Sequence, residues 1–321
     1  MGEFFYQAPD DEGMAILGHR GNDGQTQEAW ISMHYGANLC RYSYKGFQII
    51  DYDPDLLKSG DFTGTPVLYP TPNRVTNGVI AFEGQLYDQV KCGRRILEHG
   101  LVYDEAWELV YIGVEQDRAC LIAKIDWNRA SHLFAPFPFE HTLTLTFNLM
   151  LDRVEIAYRI INTGGSEIPF GFGLHPYFQK LSGDEDTCIQ VPVQYVMEAT
   201  KELLPTGRVF PIAGSDLDLN QPGPIGDYDL DHVFIRSEND DPAVIQYLHQ
   251  GLEVEISASE DFSYFVVYSP QGEPFFCIEE QTCSTDAHNL FDRGLKKESG
   301  LQIVQPGAEK NGSVRYSVKS T

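Results

Sequence analysis

Basic residues are scarce in this sequence. Its 321 residues include 23 Lys and Arg but 47 Asp and Glu, which gives a formal net charge of −24. Affinity for nucleic acid depends on Lys and Arg displacing counterions from the phosphate backbone, and anionic membrane surfaces attract the same residues. The charge therefore argues against nucleic-acid and membrane partners, and it predicts an acidic, well-solvated surface.

Long hydrophobic runs and a signal peptide are also missing. No stretch of about 18 apolar residues occurs. Residues 1–18 have neither the basic start nor the apolar stretch of a secretory signal. The six cysteines are scattered and form no Cys-x-x-Cys pair, so neither a disulfide framework nor a zinc ribbon is indicated. We therefore predict a reduced, cytoplasmic protein.

Motifs for phosphate binding and nucleophilic catalysis are absent as well. The glycines of 171–173 lack the third glycine and the following helix of a dinucleotide site, and no Walker loop or Gly-x-Ser-x-Gly elbow occurs. Cys277 lies in a strand-like run, where a buried structural thiol is expected. The five aspartates within 214–231 lack the spacing of a calcium-binding loop. No cofactor and no metal site is predicted.

Apolar and polar residues instead alternate with period two along much of the chain. The segments 141–150 and 154–160 show this pattern, and the short connection between them is typical of a hairpin. Further predicted strands are 46–51, 118–125, 233–236, 252–257, 264–268, 275–279 and 314–318. Helical periodicity is weak: 104–113 and 285–295 are each compatible with one or two short helical turns, and equally with a loop.

The spacing of these segments bears on the number of domains. At about 150 residues per domain the length suggests two. However, the sequence has no low-complexity linker and no repeat, and 29 Gly and 18 Pro are spread along it between short strands. This organisation favours a single domain over residues 1–321, an all-β, large antiparallel β-sandwich with few short helices.

Two loop segments carry residues suited to ligand binding. In 64–75 a strand enters a proline-broken loop that holds Arg74, whose fork of donors suits vicinal hydroxyls or a carboxylate. In 170–178 His175 lies between glycines and a Pro-Tyr-Phe run, and aromatic rings pack well against the C–H faces of sugars. An ordinary surface arginine and a core histidine are the alternatives.

A third segment, 275–282, is an apolar strand that runs into two carboxylates. By alternation Glu279 shares a face with Cys277 and Gln281, whereas Glu280 shares the opposite face with apolar residues. One acid must therefore lie on an apolar face, where burial raises a carboxyl pKa. An acid with a pKa near neutrality suits general base catalysis, although a solvated strand end is the alternative.

Taken together and in this order, the segments resemble the aldose 1-epimerase (galactose mutarotase) family over most of the chain. The matching elements are 64–75, 98–101 with 107–109, 174–178, 231–234, 277–281 with 286–289, and 306–307.

The resemblance implies a galactose mutarotase-like supersandwich with an open sugar site. It implies that Glu279 is the general base and His175 the general acid. Residues implied to hold sugar hydroxyls are Arg74, His99, Asp231 and, as a lesser candidate, Gln281. A glycosidase requires two carboxylates, and Glu279 and Asp231 are candidates for such a pair. A histidine as the acid favours an epimerase instead.

The implied activity is a cofactor-independent interconversion of the α and β anomers of an aldohexose, in hexose metabolism, by a monomer or homodimer. Leu101 and Leu174 replace residues usual in galactose-type members, so the resemblance does not specify galactose. Two alternatives remain open. One is an epimerase for phosphorylated or otherwise anionic sugars, for which Lys91, Arg94 and Arg95 would supply cations, unless they form a solvated turn. The other is a non-catalytic carbohydrate-binding protein.

Overall fold

Antiparallel β-strands dominate the computed structural model of the protein, which describes residues 2–181, 183–239 and 241–320. The first strands are β1 (Glu3–Gln7), β2 (Met14–Arg20), β3 (Thr26–Ser32), β4 (Asn38–Tyr44), β5 (Phe47–Ile50), β6 (Val67–Leu68), β7 (Val79–Phe82), β8 (Gln85–Asp88), β9 (Val90–Lys91) and β10 (Arg94–Arg95). The next are β11 (Glu108–Val114), β12 (Arg118–Trp127), β13 (His141–Met150), β14 (Arg153–Asn162), β15 (Ile168–Phe170), β16 (Gly173–Leu174), β17 (Tyr177–Gln179), β18 (Thr187–Gln190) and β19 (Val193–Ala199). The last are β20 (Pro205–Pro211), β21 (Gly223–Pro224), β22 (Leu230–Arg236), β23 (Ala243–Tyr247), β24 (Leu252–Ala258), β25 (Tyr264–Ser269), β26 (Phe275–Gln281), β27 (Gln302–Val304) and β28 (Glu309–Ser320).

Two large sheets contain most of these strands. Within the described ranges the larger sheet has 13 strands, in the order β1-β2-β3-β4-β5-β17-β26-β25-β22-β19-β20, with β16 joining β26 to β6. The smaller sheet has nine strands over the same ranges, in the order β11-β12-β13-β14-β28-β24-β23-β18-β21. Neighbouring strands run antiparallel. The predicted all-β antiparallel sandwich is therefore confirmed.

The two sheets face each other across an aromatic core. Phe178 of β17 packs edge-on against Tyr316 of β28, with ring centroids 5.6 Å apart. Nearby, Phe172 stacks on Tyr158 of β14 at 4.4 Å. All four side chains are buried. Burying a side chain of this size contributes about 1.5–3 kcal/mol, so these contacts stabilise the larger sheet directly behind strands β16, β17 and β26.

Strand β26 has an interrupted neighbour in the larger sheet. The short strand β16 pairs with one end of β26 and β17 with the other, while residues 175–176 between them belong to neither strand. Gly173 lies opposite Gln281, and counting two residues inward from that pair places His175 opposite Glu279. The sheet itself therefore brings these two side chains to the same place.

The helices are short and lie outside the sheets: α1 (Pro54–Ser59), α2 (Ala287–Asp292) and α3 (Lys296–Ser299). Helix α1 was not predicted because only Leu57 is buried, which leaves no apolar stripe; its start is fixed by Asp53, which caps the first turn. The segment 285–295 contains α2, whereas 104–113 contains a loop and the start of β11. No helix in the described part of the chain is long and apolar enough to span a membrane.

Each predicted strand segment coincides with a strand of the structure, but other strands are not predicted: β1 to β4 at the start of the chain, and β18, β19, β20 and β23 in its second half. The hairpin between β13 and β14 is confirmed, with Met150 paired to Arg153 across a two-residue turn. Strands β1 to β4 were not recognised. In β3 the buried positions include Gln27 and Ala29, and such polar or small residues give a weak hydrophobic alternation.

Glu280 places a carboxyl group inside the apolar core. It pairs with Phe265 of β25 and is completely buried. Neither carboxyl oxygen forms a hydrogen bond to another of the residues that the structure describes. Burial raises the pKa of Glu280 to about 8. The prediction that one acid lies on the apolar face of this strand is therefore confirmed.

Replacing Glu280 with Gln should change how stability depends on pH. The usual glutamate pKa of 4.5 applies to the unfolded chain, whereas folded Glu280 keeps its proton to about pH 8. Between these values the unfolded state has released a proton that the folded state retains, so stability falls by roughly 1.4 kcal/mol per pH unit. In urea unfolding we expect Glu280→Gln to exceed the wild type at about pH 8 and to be close to it near pH 5.

Exposed Glu260 provides the matched control for this experiment. Glu260→Gln should leave the pH dependence of unfolding unchanged. If Glu280→Gln followed the wild type at every pH, the buried carboxyl would not contribute to the pH dependence.

Candidate active site

A cavity of about 200 Å³ opens on the outer face of the larger sheet, beside the interruption in the ladder. Its lining residues are Phe62, Asn73, Arg74, Glu98, His99, His175, Tyr177, Asp231, Val266, Tyr268 and Glu279. The cavity therefore brings together five of the six predicted site residues. The sixth, Gln281, does not line it and lies buried beside Glu279.

Glu279 and His175 form a close buried pair at the floor of the cavity. Nε2 of His175 lies 3.4 Å from Oε1 of Glu279. The other carboxylate oxygen, Oε2, accepts a hydrogen bond of 2.9 Å from Nε2 of Gln281. Gln281, the lesser candidate for holding a sugar hydroxyl, thus donates its amide to the carboxyl group of Glu279.

Burial shifts the pKa of both groups toward their neutral forms. It raises the pKa of Glu279 well above its usual value; the hydrogen bond from Gln281 opposes this shift, and the nearby Asp231 carboxylate adds to it. It also lowers the pKa of His175 to about 4, and the cationic side chain of Arg74 acts in the same direction. Both shifts favour a pair in which Glu279 holds the proton and His175 is neutral.

Aromatic rings fix the plane of the His175 imidazole. Tyr177 stacks on it with centroids 4.9 Å apart and an interplanar angle of 9°. Phe62 lies parallel to it at 6.4 Å, and His99 meets it edge-on at 5.2 Å. Rotation of the imidazole would disturb all three contacts, so Nε2 remains directed at Glu279.

A tight turn places His99. His99 and Gly100 have φ values of 61° and 78°, in the left-handed region. A Cβ atom at position 100 would lie 2.2 Å from the carbonyl oxygen of Tyr69, so the turn requires glycine there. Burial, together with neighbouring His175 and Arg74, lowers the pKa of His99 well below its usual value. His99 therefore faces the cavity as a neutral imidazole.

Arg74 lies between two carboxylates on the cavity wall. Its guanidinium group is 3.8 Å from Asp231 and 3.8 Å from Glu98. Such long, partly exposed ion pairs are weak, so the guanidinium donors can still bind a ligand. Glu98 and Asn73 also line the cavity but are not among the predicted site residues. In the sequence, only their positions next to His99 and Arg74 point to the site.

The segment containing Asp286 supports the Arg74 loop from behind. Asp286 accepts hydrogen bonds from the Thr76 amide at 3.0 Å, the Thr76 hydroxyl at 2.7 Å and the Asn289 side chain at 2.6 Å. Its own amide donates to the Arg74 carbonyl at 3.0 Å. The part of the motif that follows Gln281 thus acts on the site through the backbone of the Arg74 loop.

The basic residues proposed for an anionic substrate lie elsewhere and are already paired. Lys91 contacts Asp104, and Arg94 pairs with the same carboxylate at 3.0 Å. Arg95 pairs with Asp88 at 3.0 Å. None of the three lines the cavity. Their positions therefore give no support to the phosphate-binding alternative.

The polar groups of the cavity suit a ligand rich in hydroxyl groups. Arg74 offers donors, and Asp231 and Glu98 offer acceptors around the same space. Over residues 2–181, 183–239 and 241–320, no three His, Cys, Asp or Glu side chains are grouped so that they could hold a metal ion. The arrangement can exchange protons with a bound polyol and hold its hydroxyls.

Comparison with known proteins identifies related sequences and folds. Residues 25–317 match the model of a family described as aldose 1-epimerase. The chain is 25% identical to the uncharacterized protein YihR of Escherichia coli strain K12 over 274 residues, which cover 83% of this chain and 84% of YihR.

Solved structures with the same fold cover nearly the whole chain. A galactose mutarotase-like protein from Clostridium acetobutylicum has a TM-score of 0.83 at 20% identity, covering 99% of both chains. Galactose 1-epimerase from Lactobacillus acidophilus NCFM has a TM-score of 0.78 at 16% identity, covering 100% of this chain and 99% of that one. The resemblance and the fold expected from the sequence motifs are confirmed.

Removing the Asp286 carboxyl group should destabilise the protein. Asp286→Ala leaves the Thr76 amide and hydroxyl without their acceptor, which typically costs about 1–3 kcal/mol. Asp286→Asn retains one acceptor and should lose less. Urea unfolding measures both losses, and hydrogen exchange at the Thr76 amide should be faster in Asp286→Ala. If Asp286→Ala had the same stability and the same Thr76 amide exchange rate as the wild type, this supporting role would be contradicted.

Proposed function

Because the chain belongs to the aldose 1-epimerase family, we propose that it interconverts the α and β anomers of a free aldohexose. The observation that carries the proposal is the opposed pair of Glu279 and His175 at the floor of a cavity rich in hydroxyl partners. The pair provides a base and an acid 3.4 Å apart, and the reaction needs one of each.

The proposed reaction transfers protons and breaks and re-forms one bond of the sugar ring. Glu279 removes the proton from the anomeric hydroxyl while His175 donates a proton to the ring oxygen, and the bond between C1 and the ring oxygen breaks. C1 becomes an aldehyde carbon and turns about its bond to C2. Return of both protons by the reverse transfers closes the ring on the other face of C1. Each positioned proton transfer contributes roughly 10²–10⁴ in rate.

The pair holds one proton before and after each half-reaction. In the ring-opened state Glu279 is protonated and His175 is neutral, which is the arrangement that burial favours. The amide of Gln281 donates to the Glu279 carboxylate and so favours its ionised form. Burial has the larger effect on Glu279, so the arrangement with a neutral carboxyl and a neutral imidazole is favoured, and the hydrogen bond from Gln281 reduces this preference.

We assign substrate binding to the groups above this pair. Arg74, His99 and Asp231 would hold hydroxyl groups, while the Tyr177 ring offers a face for C–H groups of the sugar. Gln281 is a positioning residue for Glu279. The carboxylates around Arg74 favour a neutral sugar over an anionic one, since a phosphate would meet them at close range.

Glu279→Gln tests the proposed base. Without a carboxylate to accept the proton, we expect the rate of α-to-β conversion to fall by roughly 10²–10⁴. Polarimetry on freshly dissolved α-glucose and α-galactose measures it. Glu280→Gln is the matched control, because the same change one residue away points into the core, and it should keep wild-type activity.

Two outcomes would contradict the proposal. Equal rates in the wild type and Glu279→Gln would reject Glu279 as the base. Sugar binding without any acceleration by the wild type would favour the carbohydrate-binding alternative.

The pH profile should show the lowered pKa of His175. The pair gains a second proton only when His175 is protonated together with Glu279, and burial lowers the pKa of His175 to about 4. We therefore expect kcat/KM to fall with decreasing pH near 4 and to be constant above about pH 5 until the alkaline limb begins. On the alkaline side, activity should fall once Glu279, whose pKa is raised, loses the last proton. An acid limb near the ordinary histidine pKa of 6.5 would contradict this account.

A further inference from the structure

Lys91 is a buried lysine that the proposed reaction does not use. Only 5% of its side chain is exposed. Its ammonium group donates a hydrogen bond of 3.0 Å to the Leu101 carbonyl, contacts the Asp104 carboxylate and lies 3.1 Å from a carboxylate oxygen of Glu105. All three partners belong to the His99 loop, residues 99–105.

These contacts tie the His99 loop to strand β9, which contains Lys91. Burying an ammonium group is strongly unfavourable unless the charge is paired and hydrogen-bonded. Among the described residues, the carboxylates and the carbonyl that satisfy Lys91 all lie in this loop. Displacing the loop would leave a buried charge without partners, so Lys91 stabilises one position of the loop.

The orientation of the His99 imidazole depends on packing. Its Nδ1 atom is buried and forms no hydrogen bond with another of the residues that the structure describes. Instead, Phe62 meets the ring edge-on with centroids 4.5 Å apart, and His175 meets it edge-on at 5.2 Å. A shift of these neighbours would change the direction in which His99 faces a bound sugar.

Tyr103 connects Lys91 with this packing. The Lys91 ammonium group lies 5.6 Å from the centroid of the Tyr103 ring, in a cation–π contact. The Tyr103 hydroxyl accepts a hydrogen bond of 2.9 Å from Arg94, and its ring lies 4.9 Å from Phe62. The contacts thus run from the ammonium group through two aromatic rings to His99.

The basic residues of 91–95 therefore have structural partners close to the site. Lys91 and Arg94 both pair with the Asp104 carboxylate. Lys91 does not line the catalytic cavity, so it can act on a bound sugar only through the residues that it holds in place.

We propose that Lys91 is a positioning residue for sugar binding, which fixes the His99 loop and so holds the His99 imidazole against a substrate hydroxyl. This inference rests on the proposed anomer interconversion and on the binding role assigned to His99. Because Glu279 and His175 carry out the proton transfers, Lys91 should influence KM more than kcat.

Lys91→Met tests the proposal by removing the ammonium group while keeping an unbranched side chain. Asp104 keeps its ion pair with Arg94 at 3.0 Å, and Glu105 keeps its contact with His132 at 3.0 Å, so neither carboxylate loses its last partner. We expect KM for glucose to rise about three- to tenfold, as for the loss of one hydrogen bond, with little change in kcat. NMR measurement of anomer exchange over a range of glucose concentrations gives both constants.

A double-mutant cycle with His99→Ala shows whether Lys91 acts through His99. If it does, Lys91→Met should raise KM in the wild-type background and leave KM unchanged in the His99→Ala background. An equal fold increase in both backgrounds would overturn the proposal, because Lys91 would then act independently of His99.

Lys319→Met is the matched control for the loss of a paired lysine. Lys319 also lies close to two carboxylates, Glu253 at 2.9 Å and Glu255 at 2.8 Å, but it belongs to the smaller sheet. Lys319→Met should keep the wild-type KM and kcat.

Tyr103→Leu tests the same chain of contacts if Lys91→Met does not fold. Tyr103 is only partly buried, and its replacement removes the ring between Lys91 and Phe62. Tyr103→Leu should raise KM for glucose, and this effect should disappear in the His99→Ala background. A wild-type KM in Lys91→Met, or in Tyr103→Leu where Lys91→Met does not fold, would overturn the proposal.

The NMR signals of the His99 imidazole test the positioning role apart from catalysis. The ring current of Phe62, which meets His99 edge-on, shifts the signals of the His99 ring protons. Lys91→Met should move these signals, and Lys319→Met should not. Absence of accelerated exchange in the wild type would reject the proposed function but not this structural role. Unmoved His99 signals in both Lys91→Met and Tyr103→Leu would overturn the positioning role whatever the activity.

Discussion

The interrupted ladder beside β26 is the feature on which the rest of the site depends. Residues directly opposite each other on antiparallel strands have Cβ atoms about 4.5–5.5 Å apart, so the ends of their side chains can meet. The register is the same on both sides of the interruption, so His175 lies opposite Glu279; the side-chain atoms Nε2 and Oε1 are 3.4 Å apart and both residues are buried. The same backbone feature thus gives the pair its geometry and, through desolvation, the pKa shifts that leave one proton between them.

Residues far apart in the chain hold the other walls of the cavity in place. The Arg74 loop is fixed through Asp286, more than 200 residues away in the chain, and His99 is fixed by a glycine turn against Tyr69. The core behind the site, by contrast, contains a destabilising group. At pH values above the usual glutamate pKa, Glu280 lowers the free energy of unfolding. It occupies the strand position next to the proposed base.

Sequence alternation predicted much of this arrangement and could not predict the rest. It assigned Glu279 and Glu280 to opposite faces, because side-chain direction in a strand depends only on local backbone geometry. Glu98 and the supporting role of Gln281 depend on loops and contacts that only the folded chain defines. Strands with small or polar buried residues, as in Thr26–Ser32, carry no clear pattern. The single domain and the catalytic roles stay predictions.

The central claim is that Glu279 and His175 act as one unit through a shared proton, and a double-mutant cycle tests it most directly. Rates of α-to-β exchange of glucose are compared for Glu279→Gln, His175→Asn and the double variant. If the pair acts as a unit, either single change removes nearly all of the acceleration, and the double variant is no slower than the slower single one. Losses that multiply in the double variant, or full activity in His175→Asn, would contradict the account.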